Sequence, residues 1–156
     1  MLSTTFGKCI MTFLISMIPV VELRGGLPYG IVAGLNLPQA AVSAILGNML
    51  PVPFIIIFIE RIFVFLRKYF PKMDSFISSL EKRAAEKQET VDKYGALGLI
   101  ILVASPLPGT GAWTGSLVAA LMQMPLKKAV PCVFTGVIIA AIIMTVVTKL
   151  GIFAFF

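Results

Sequence analysis

The sequence Pro106-Leu107-Pro108-Gly109-Thr110-Gly111 interrupts a strongly apolar part of the chain. The apolar runs that adjoin it, 97–107 and 112–124, are each too short to cross a bilayer, because a spanning helix needs about 20 apolar residues. Prolines lack an amide hydrogen and glycines admit backbone shapes closed to other residues, so backbone groups here are left unpaired. Lipid cannot satisfy such groups. We therefore predict two short helices that meet at this breaker, within protein or beside a water-filled cavity.

Composition indicates that most of the chain lies in lipid. Hydrophobic residues make up 58% of the 156 residues and charged residues 13%, whereas soluble domains average about 45–50% and about 25%. Two apolar runs, 40–59 and 129–147, are long enough to span a bilayer, with kinks expected at Pro51, Pro53 and Pro131. The sequence therefore predicts an all-α integral membrane protein with a single membrane domain.

The same order of segments occurs twice. In the first half, the short runs 9–21 and 29–37 flank a polar breaker, Glu22-Leu23-Arg24-Gly25-Gly26-Leu27-Pro28, and a proline then precedes a full span. In the second half, the breaker at 106–111 and its two short runs are again followed by a proline and a full span. We expect the second short helix of the first half to begin near Pro28, since proline is favoured in a first helical turn.

The number of membrane crossings predicts how the two halves are related. A pair of short helices that turns back returns to its own side, and one full span then crosses, so the second half must be inverted relative to the first. The expected fold is two inverted repeats, each a re-entrant helical hairpin followed by a full transmembrane helix, joined by a charged cytoplasmic helix. The expected bounds are 1–60 for the first repeat, 61–95 for the linker and 96–156 for the second repeat.

The distribution of basic residues predicts the same topology. Eight of the thirteen Lys and Arg lie in 61–93, together with five of the seven acids. With Lys127 and Lys128 they place ten basic residues on one side, against Lys8 and Lys149 on the other. By the positive-inside rule the linker is then cytoplasmic, in a multi-pass protein of a prokaryotic cytoplasmic membrane. No basic patch is typical of a nucleic-acid groove, so no nucleic-acid partner is expected.

The linker is predicted to contain a helix over 72–94. Lys82/Glu86 and Glu89/Lys93 have the i,i+4 spacing of ion pairs. A solvated or interfacial connector and a partner-docking helix are both consistent with this pattern. The apolar positions form a patchy stripe of Phe76, Ile77, Leu80, Ala84 and Val91.

Glu22 and Arg24 are the only charges in the first breaker, and a charge at membrane depth costs roughly 2.5–3.5 kcal/mol on insertion scales. Such residues face a cavity, form a pair or bind a ligand; the alternative is that they lie at headgroup level. Thr110 is placed to cap a helix that begins near Ala112. If the breakers meet, two helix N-termini and the Arg24 guanidinium converge on an anion site suited to phosphate or carboxylate. Glu22 is then the natural proton-coupling group, because a carboxylate removed from water takes up a proton more readily.

Further candidates follow from the same two breakers. Trp113 offers a flat amphipathic wall, although a lone Trp near an interface is often an anchor. Asn48 and Thr135 lie mid-span and either line the same cavity or make interhelical hydrogen bonds. With no histidine, and with Cys9 and Cys132 both in apolar runs, we expect no metal site and no cofactor. The predicted substrate-binding residues are Arg24, Gly25, Gly26, Pro28, Pro106, Pro108, Gly109, Thr110, Gly111 and Trp113.

The two breakers resemble those of the small multidrug export protein family, a distant relative of the DedA membrane proteins. The matching segments are Glu22-Leu23-Arg24-Gly25-Gly26-Leu27-Pro28 and Pro106-Leu107-Pro108-Gly109-Thr110-Gly111-Ala112-Trp113-Thr114-Gly115. The resemblance implies two re-entrant hairpins that face each other. The family name implies drug export, and the DedA relatives imply proton-linked transport, including flipping of a polyprenyl-phosphate lipid, with an essential carboxylate and arginines. Only Glu22 and Arg24 carry over to those roles.

The leading hypothesis is a secondary transporter, proton-coupled through Glu22, for a small anionic molecule or a polyprenyl-phosphate-type lipid. The alternatives are a small-molecule or multidrug exporter, and an uncoupled lipid scramblase or membrane-organising protein. A structural subunit that docks a partner through the linker helix is a third class, and homo-oligomerisation is consistent with the chain's size. An enzyme is not expected, because the sequence has no histidine, no Gly-x-Ser-x-Gly motif and no placed acidic pair.

Overall fold

The computed structural model describes residues 4–107 and 109–151, apart from the side chains of 88–90, and every regular element in these ranges is helical. A 3-10 turn, Pro71–Met73, connects the fourth and fifth α-helices. The helices are α1 (Thr5–Met17), α2 (Glu22–Val32), α3 (Leu37–Met49), α4 (Pro51–Tyr69), α5 (Asp74–Tyr94), α6 (Ala96–Ala104), α7 (Ala112–Leu121) and α8 (Leu126–Lys149).

The two predicted long apolar helices are present. α3 and α4 run into one another through Leu50, whose φ of −58° and ψ of −47° are helical, and together they give 33 residues; α8 has 24. Only 17% and 33% of their most apolar windows are buried inside the protein. The core helix of a soluble protein would be mostly buried, so these outward apolar faces are typical of helices in contact with lipid.

The first breaker lies earlier than the sequence predicts. α2 begins at Glu22 and not near Pro28, so Gly25, Gly26 and Pro28 all lie inside the helix. The chain is interrupted instead at 18–21. The glycines serve close packing here and not a turn, because a Cβ on Gly26 would collide with the Ser16 hydroxyl of α1. The prediction that the segment 22–28 breaks the helix is therefore wrong.

The two halves are built alike in the structure. α1 packs against α2 and α3, and in the same way α6 packs against α7 and α8. α2 and α7 also end alike, with left-handed residues at Gly34 (φ 90°) and Gln123 (φ 53°). The amides of the next residues, Leu35 and Met124, each donate to a carbonyl five residues back, at 3.0 and 2.9 Å. This cap ends each short helix and directs the chain into the following long helix.

The short helices also hold the two halves together. α2 contacts α8, and α7 packs against α4, so each short helix reaches a long helix of the other half. This exchange brings the beginnings of α2 and α7 into the middle of the bundle. Whether the second half is inverted across a membrane, with re-entrant hairpins, stays a prediction.

The linker forms a helix that packs on the bundle. α5 ends at Tyr94 with Gly95, whose φ is 59°, as its C-cap, and the helix lies against α6 and α7. Ile77, Ala84 and Val91 are buried, whereas Phe76 is 59% exposed, so most of the predicted stripe faces the protein itself.

Ion pairs fasten the beginning of α5 to the end of α4. Arg67 contacts Asp74 at 2.9 Å and Glu81 at 2.6 Å. The predicted pair Lys82/Glu86 is not among the ion pairs of the described side chains. The predicted Glu89/Lys93 pair lies outside the described side chains.

We expect Gly47→Ala to destabilise the protein, because an added Cβ would collide with the backbone carbonyl oxygen of Phe13 where α1 crosses α3. Inside a helix Gly→Ala ordinarily stabilises by about 0.5–1 kcal/mol, so the sign of the change is diagnostic. The loss should be about 1–3 kcal/mol, measured by thermal unfolding in detergent. Val42→Ala, on the exposed face of α3, is the control and should change little. A more stable Gly47→Ala protein would contradict close packing of α1 on α3.

Candidate functional site

The second breaker separates the end of α6 from the beginning of α7. α6 ends at Ala104 with Ser105 as its C-cap, and α7 begins at Ala112 after Gly111. Gly109 (φ 80°) and Gly111 (φ 131°) both adopt backbone angles that favour glycine. Gly111 has no side chain with which to cap α7. The first amides of α7 and the last carbonyls of α6 therefore need partners from elsewhere.

Glu22 supplies the missing cap of α7. One carboxylate oxygen, Oε2, accepts from the Ala112 amide at 3.2 Å, and the other, Oε1, accepts from the Trp113 amide at 3.0 Å. Glu22 is only 4% exposed. A negative charge at a helix N-terminus is favourable because the free amides and the helix dipole are positive there. The cap that was predicted for Thr110 is thus provided by Glu22, which lies 90 residues before Ala112.

Arg24, one half-turn further along α2, binds the other side of the breaker. Its Nη1 donates to the Thr110 carbonyl at 2.6 Å, and its Nη2 donates to the Thr110 hydroxyl at 2.7 Å. Nη2 also donates to the carbonyl of Ser105, at the C-terminal end of α6. A cation is favourable there because the free carbonyls and the helix dipole are negative. The first turn of α2 thus places its acid at the positive end of α7 and its base at the negative end of α6.

Thr110 holds the breaker in shape. Its hydroxyl lies 2.6 Å from the Leu107 carbonyl and 3.0 Å from the Ser105 carbonyl, and it accepts from Arg24. It therefore braces the loop and does not cap α7, which corrects the role predicted for it. The indole Nε1 of Trp113 donates to the Met17 carbonyl at the end of α1, at 3.1 Å.

The backbone that delivers Glu22 is strained. Val20 and Glu22 have φ of 76° and 50°, in the left-handed region that a β-branched residue such as valine rarely enters. Each such residue costs about 1–3 kcal/mol and persists only where its surroundings determine it. Contacts of Glu22 and Arg24 with the second breaker are the surroundings that do so here.

A cavity of about 230 Å³ adjoins Glu22. Its walls are largely apolar, with Ile59 and Phe63 from α4, and Trp113 and Leu117 from α7. Gly109 and Thr110 of the breaker and Pro19 and Val20 of the first interruption complete the side near Glu22. α5 covers the remaining side with Phe76, Leu80 and Arg83.

The structure brings some of the predicted site residues to this cavity. Glu22, Gly109, Thr110 and Trp113 line it. Gly111 lies against Glu22 and Arg24 binds Thr110, but neither is among the lining residues. Gly25, Gly26 and Pro28 lie within α2 and are not among the residues lining the cavity. Pro106 is exposed in the breaker, and Pro108 lies outside the described residues.

The two mid-span polar residues are not part of the cavity wall. Asn48 is 3% exposed, and its Oδ1 has no hydrogen-bond partner among the described residues. The Thr135 hydroxyl donates to the Pro131 carbonyl within α8 at 2.8 Å. No group of three His, Cys, Asp or Glu among the described residues could hold a metal ion.

Most of the lining residues missed by the sequence come from α4 and α5, and the others are Pro19, Val20, Thr114 and Leu117. Phe76, Leu80 and Arg83 are spaced by four and three, which places them on one helical face, and this spacing was the available signal. Nothing in the sequence near Ile59 or Phe63 distinguishes them from lipid-facing neighbours. Ser105 was also missed, because it contributes only its backbone carbonyl.

Comparison with known proteins gives one match. A family model described as "Putative small multi-drug export protein" matches residues 22–143, which includes α2 to α7 and most of α8. No curated protein and no solved structure matches the chain.

We expect Gly111→Ala to be more damaging than Gly109→Ala. Both glycines have positive φ, but a Cβ on Gly111 would collide with Glu22 Oε2, whereas a Cβ on Gly109 would meet nothing within 4 Å. The difference should be about 1–3 kcal/mol in unfolding free energy, measured by thermal or denaturant unfolding in detergent.

A double-mutant cycle isolates the Glu22 contact. In a Glu22→Ala background the collision is removed, so the excess cost of Gly111→Ala over Gly109→Ala should shrink. An excess that is the same in both backgrounds would show that Glu22 does not lie against Gly111.

Proposed function

The chain belongs to the small multi-drug export protein family, and we propose that it is a secondary transporter whose substrate binds in the cavity beside Glu22. The observation that carries this proposal is the bond between the Glu22 carboxylate and the amides of Ala112 and Trp113. A carboxylate bound to a helix N-terminus occupies the place in which a substrate anion would be stabilised.

Competition for these amides couples substrate binding to protonation. While Glu22 is ionised, its own carboxylate fills the N-terminus of α7. Protonation removes the negative charge and weakens the hold on the Ala112 and Trp113 amides, which then become available to an anionic group of the substrate. Protonated Glu22 and one substrate anion together carry the same charge as the ionised carboxylate alone. Binding of the anion is therefore coupled to the uptake of one proton.

Arg24 acts as a positioning residue in this proposal. Its guanidinium is bound to two carbonyls and a hydroxyl of the second breaker, so it keeps the breaker in register with α2. Because its guanidinium already donates to these three groups, Arg24 does not contact the substrate in this arrangement of the breaker. The anion site that the sequence placed at Arg24 is instead proposed at the amides of α7.

The membrane arrangement proposed earlier fits this mechanism. Two inverted halves would let the cavity open alternately to the two sides of the membrane. The linker, together with Lys127 and Lys128, would lie on the cytoplasmic side, which then carries ten basic residues. The similar packing of α1–α3 and α6–α8 and the matching ends of α2 and α7 support the repeat.

A second candidate is export of apolar or cationic compounds. The walls of the cavity are largely apolar, and a buried carboxylate is a natural partner for a cation. A cationic substrate would bind while Glu22 is ionised and leave when Glu22 is protonated. The two candidates therefore predict opposite effects of neutralising Glu22 on substrate binding.

Proteoliposome flux of Glu22→Gln tests both candidates. We expect the variant to lose the flux that depends on a pH gradient, because glutamine keeps an acceptor oxygen near α7 but does not titrate. A fluorescent polyprenyl-phosphate analogue and a lipophilic cationic dye are the two probes. Glu60→Gln, an exposed carboxylate in the middle of α4, is the control and should transport as the wild type does.

Each outcome distinguishes between mechanisms. Tighter binding of the anionic probe to Glu22→Gln supports the anion mechanism, and weaker binding of the cationic dye supports the second candidate. Wild-type flux of either probe without a pH gradient, unchanged in Glu22→Gln, would indicate an uncoupled scramblase and overturn proton coupling.

A further inference from the structure

The cavity has only two charged side chains among the described residues that line it. Glu22 lies at its buried end, and Arg83 of α5 lies on its exposed side. Arg24, the cation that the sequence singles out, is not a lining residue. The positive charge that faces the cavity therefore comes from the linker helix and not from either breaker.

Arg83 is held in this position by the packing of α5. Ile77 and Ala84 are buried against the bundle, at 1% and 0% exposure, on either side of Arg83 along the helix. α5 packs on α7, which carries Trp113 and Leu117 of the cavity wall. The beginning of α5 is held in addition by the ion pairs of Arg67 with Asp74 and Glu81.

Arg83 is also available to bind. It makes no ion pair with any side chain that the structure describes, in contrast to Arg67. A guanidinium presents five donors in a planar fork that matches carboxylate, phosphate and sulfonate groups. Between it and Glu22 the cavity wall is largely apolar, with Phe76 and Leu80 beside it on α5 and Phe63 on α4.

We infer that Arg83 is the substrate's first charged contact, and that the substrate is an amphiphile with one acidic group and an apolar body. The acidic group binds Arg83 at the open side while the apolar body lies against the aromatic and aliphatic walls. When Glu22 takes up a proton, the acidic group passes from Arg83 to the freed amides of α7. This inference rests on the proposed function and assigns to the linker helix a role in substrate choice.

The test compares two probes that share a ring system. A fluorescent naphthalenesulfonate carries the acidic group, and an uncharged naphthalenesulfonamide of the same size does not. For Arg83→Ala we expect the KM of the sulfonate to rise about tenfold, because the variant loses a charge-assisted hydrogen bond to the acidic group. The KM of the sulfonamide and the kcat for both probes should stay as in the wild type.

Two further variants separate charge at the cavity from charge on the helix. Arg83→Lys keeps a cation and should recover most of the affinity for the sulfonate. Lys82→Ala removes an exposed cation of α5 that does not line the cavity, and it should leave both KM values unchanged. Binding in detergent, followed by the fluorescence of the sulfonate, gives the same comparison without transport.

The outcomes separate this inference from the proposed function. If Glu22→Gln abolishes gradient-dependent flux but Arg83→Ala leaves the KM of the sulfonate unchanged, the proposed function stands and the role of Arg83 is wrong. An equal rise in KM for sulfonate and sulfonamide would also overturn it, because it would indicate a loss of packing. A wild-type protein that binds neither probe, yet shows gradient-dependent flux of the polyprenyl-phosphate analogue or of the cationic dye, would overturn this inference and leave the proposed function standing.

Discussion

A helix that begins inside a membrane protein must find partners for its first amides, and this requirement shapes the centre of the molecule. α7 begins after a glycine that offers no side chain, so its first amides depend on Glu22, which lies 90 residues earlier in the chain. Arg24 satisfies the opposite end of the break, where α6 stops. Because lipid offers no hydrogen bonds, these two residues take the place that water would have in a soluble protein.

The beginning of α2 lies against the second breaker, and contacts between the two halves accompany this arrangement. α2, which carries Glu22 and Arg24, also packs on α8, and α7 packs on α4, so the two halves exchange contacts. Close approach of the helices is made possible by small residues, among them Gly26 against Ser16 and Gly136 against Val103. Small residues at helix crossings are the usual means of association where lipid weakens the hydrophobic effect. The cavity is the space left where α4, α7 and α5 diverge beside Glu22.

The broad architecture could be predicted from the sequence because its signals are strong. The lengths of the apolar runs indicated the long helices, Gly95 marked the end of α5, and α7 begins at Ala112 as expected. The beginning of α2 could not be predicted in the same way. Gly25, Gly26 and Pro28 are each unfavourable in a helix interior, but packing against α1 outweighs those local costs.

The charged residues of the site could be predicted from the sequence, but their hydrogen-bond partners could not. Glu22 and Arg24 stand out as charges in an apolar context, yet nothing local shows that both are bound to the backbone of the second breaker. Such contacts join residues that are far apart in the chain. They depend on the tertiary fold, so the local sequence around either residue does not reveal them. Arg83 is harder still to find, because a basic residue in a charged linker is ordinarily solvated.

The separation between Glu22 and α7 also has a consequence for how the protein is made. At a synthesis rate of about 5–20 residues per second, Ala112 leaves the ribosome roughly 5–20 s after Glu22. Throughout that interval the amino-terminal half has a carboxylate and a guanidinium whose permanent partners do not yet exist. The hydrogen bonds between Glu22 and α7 can therefore form only after the second half has been synthesised.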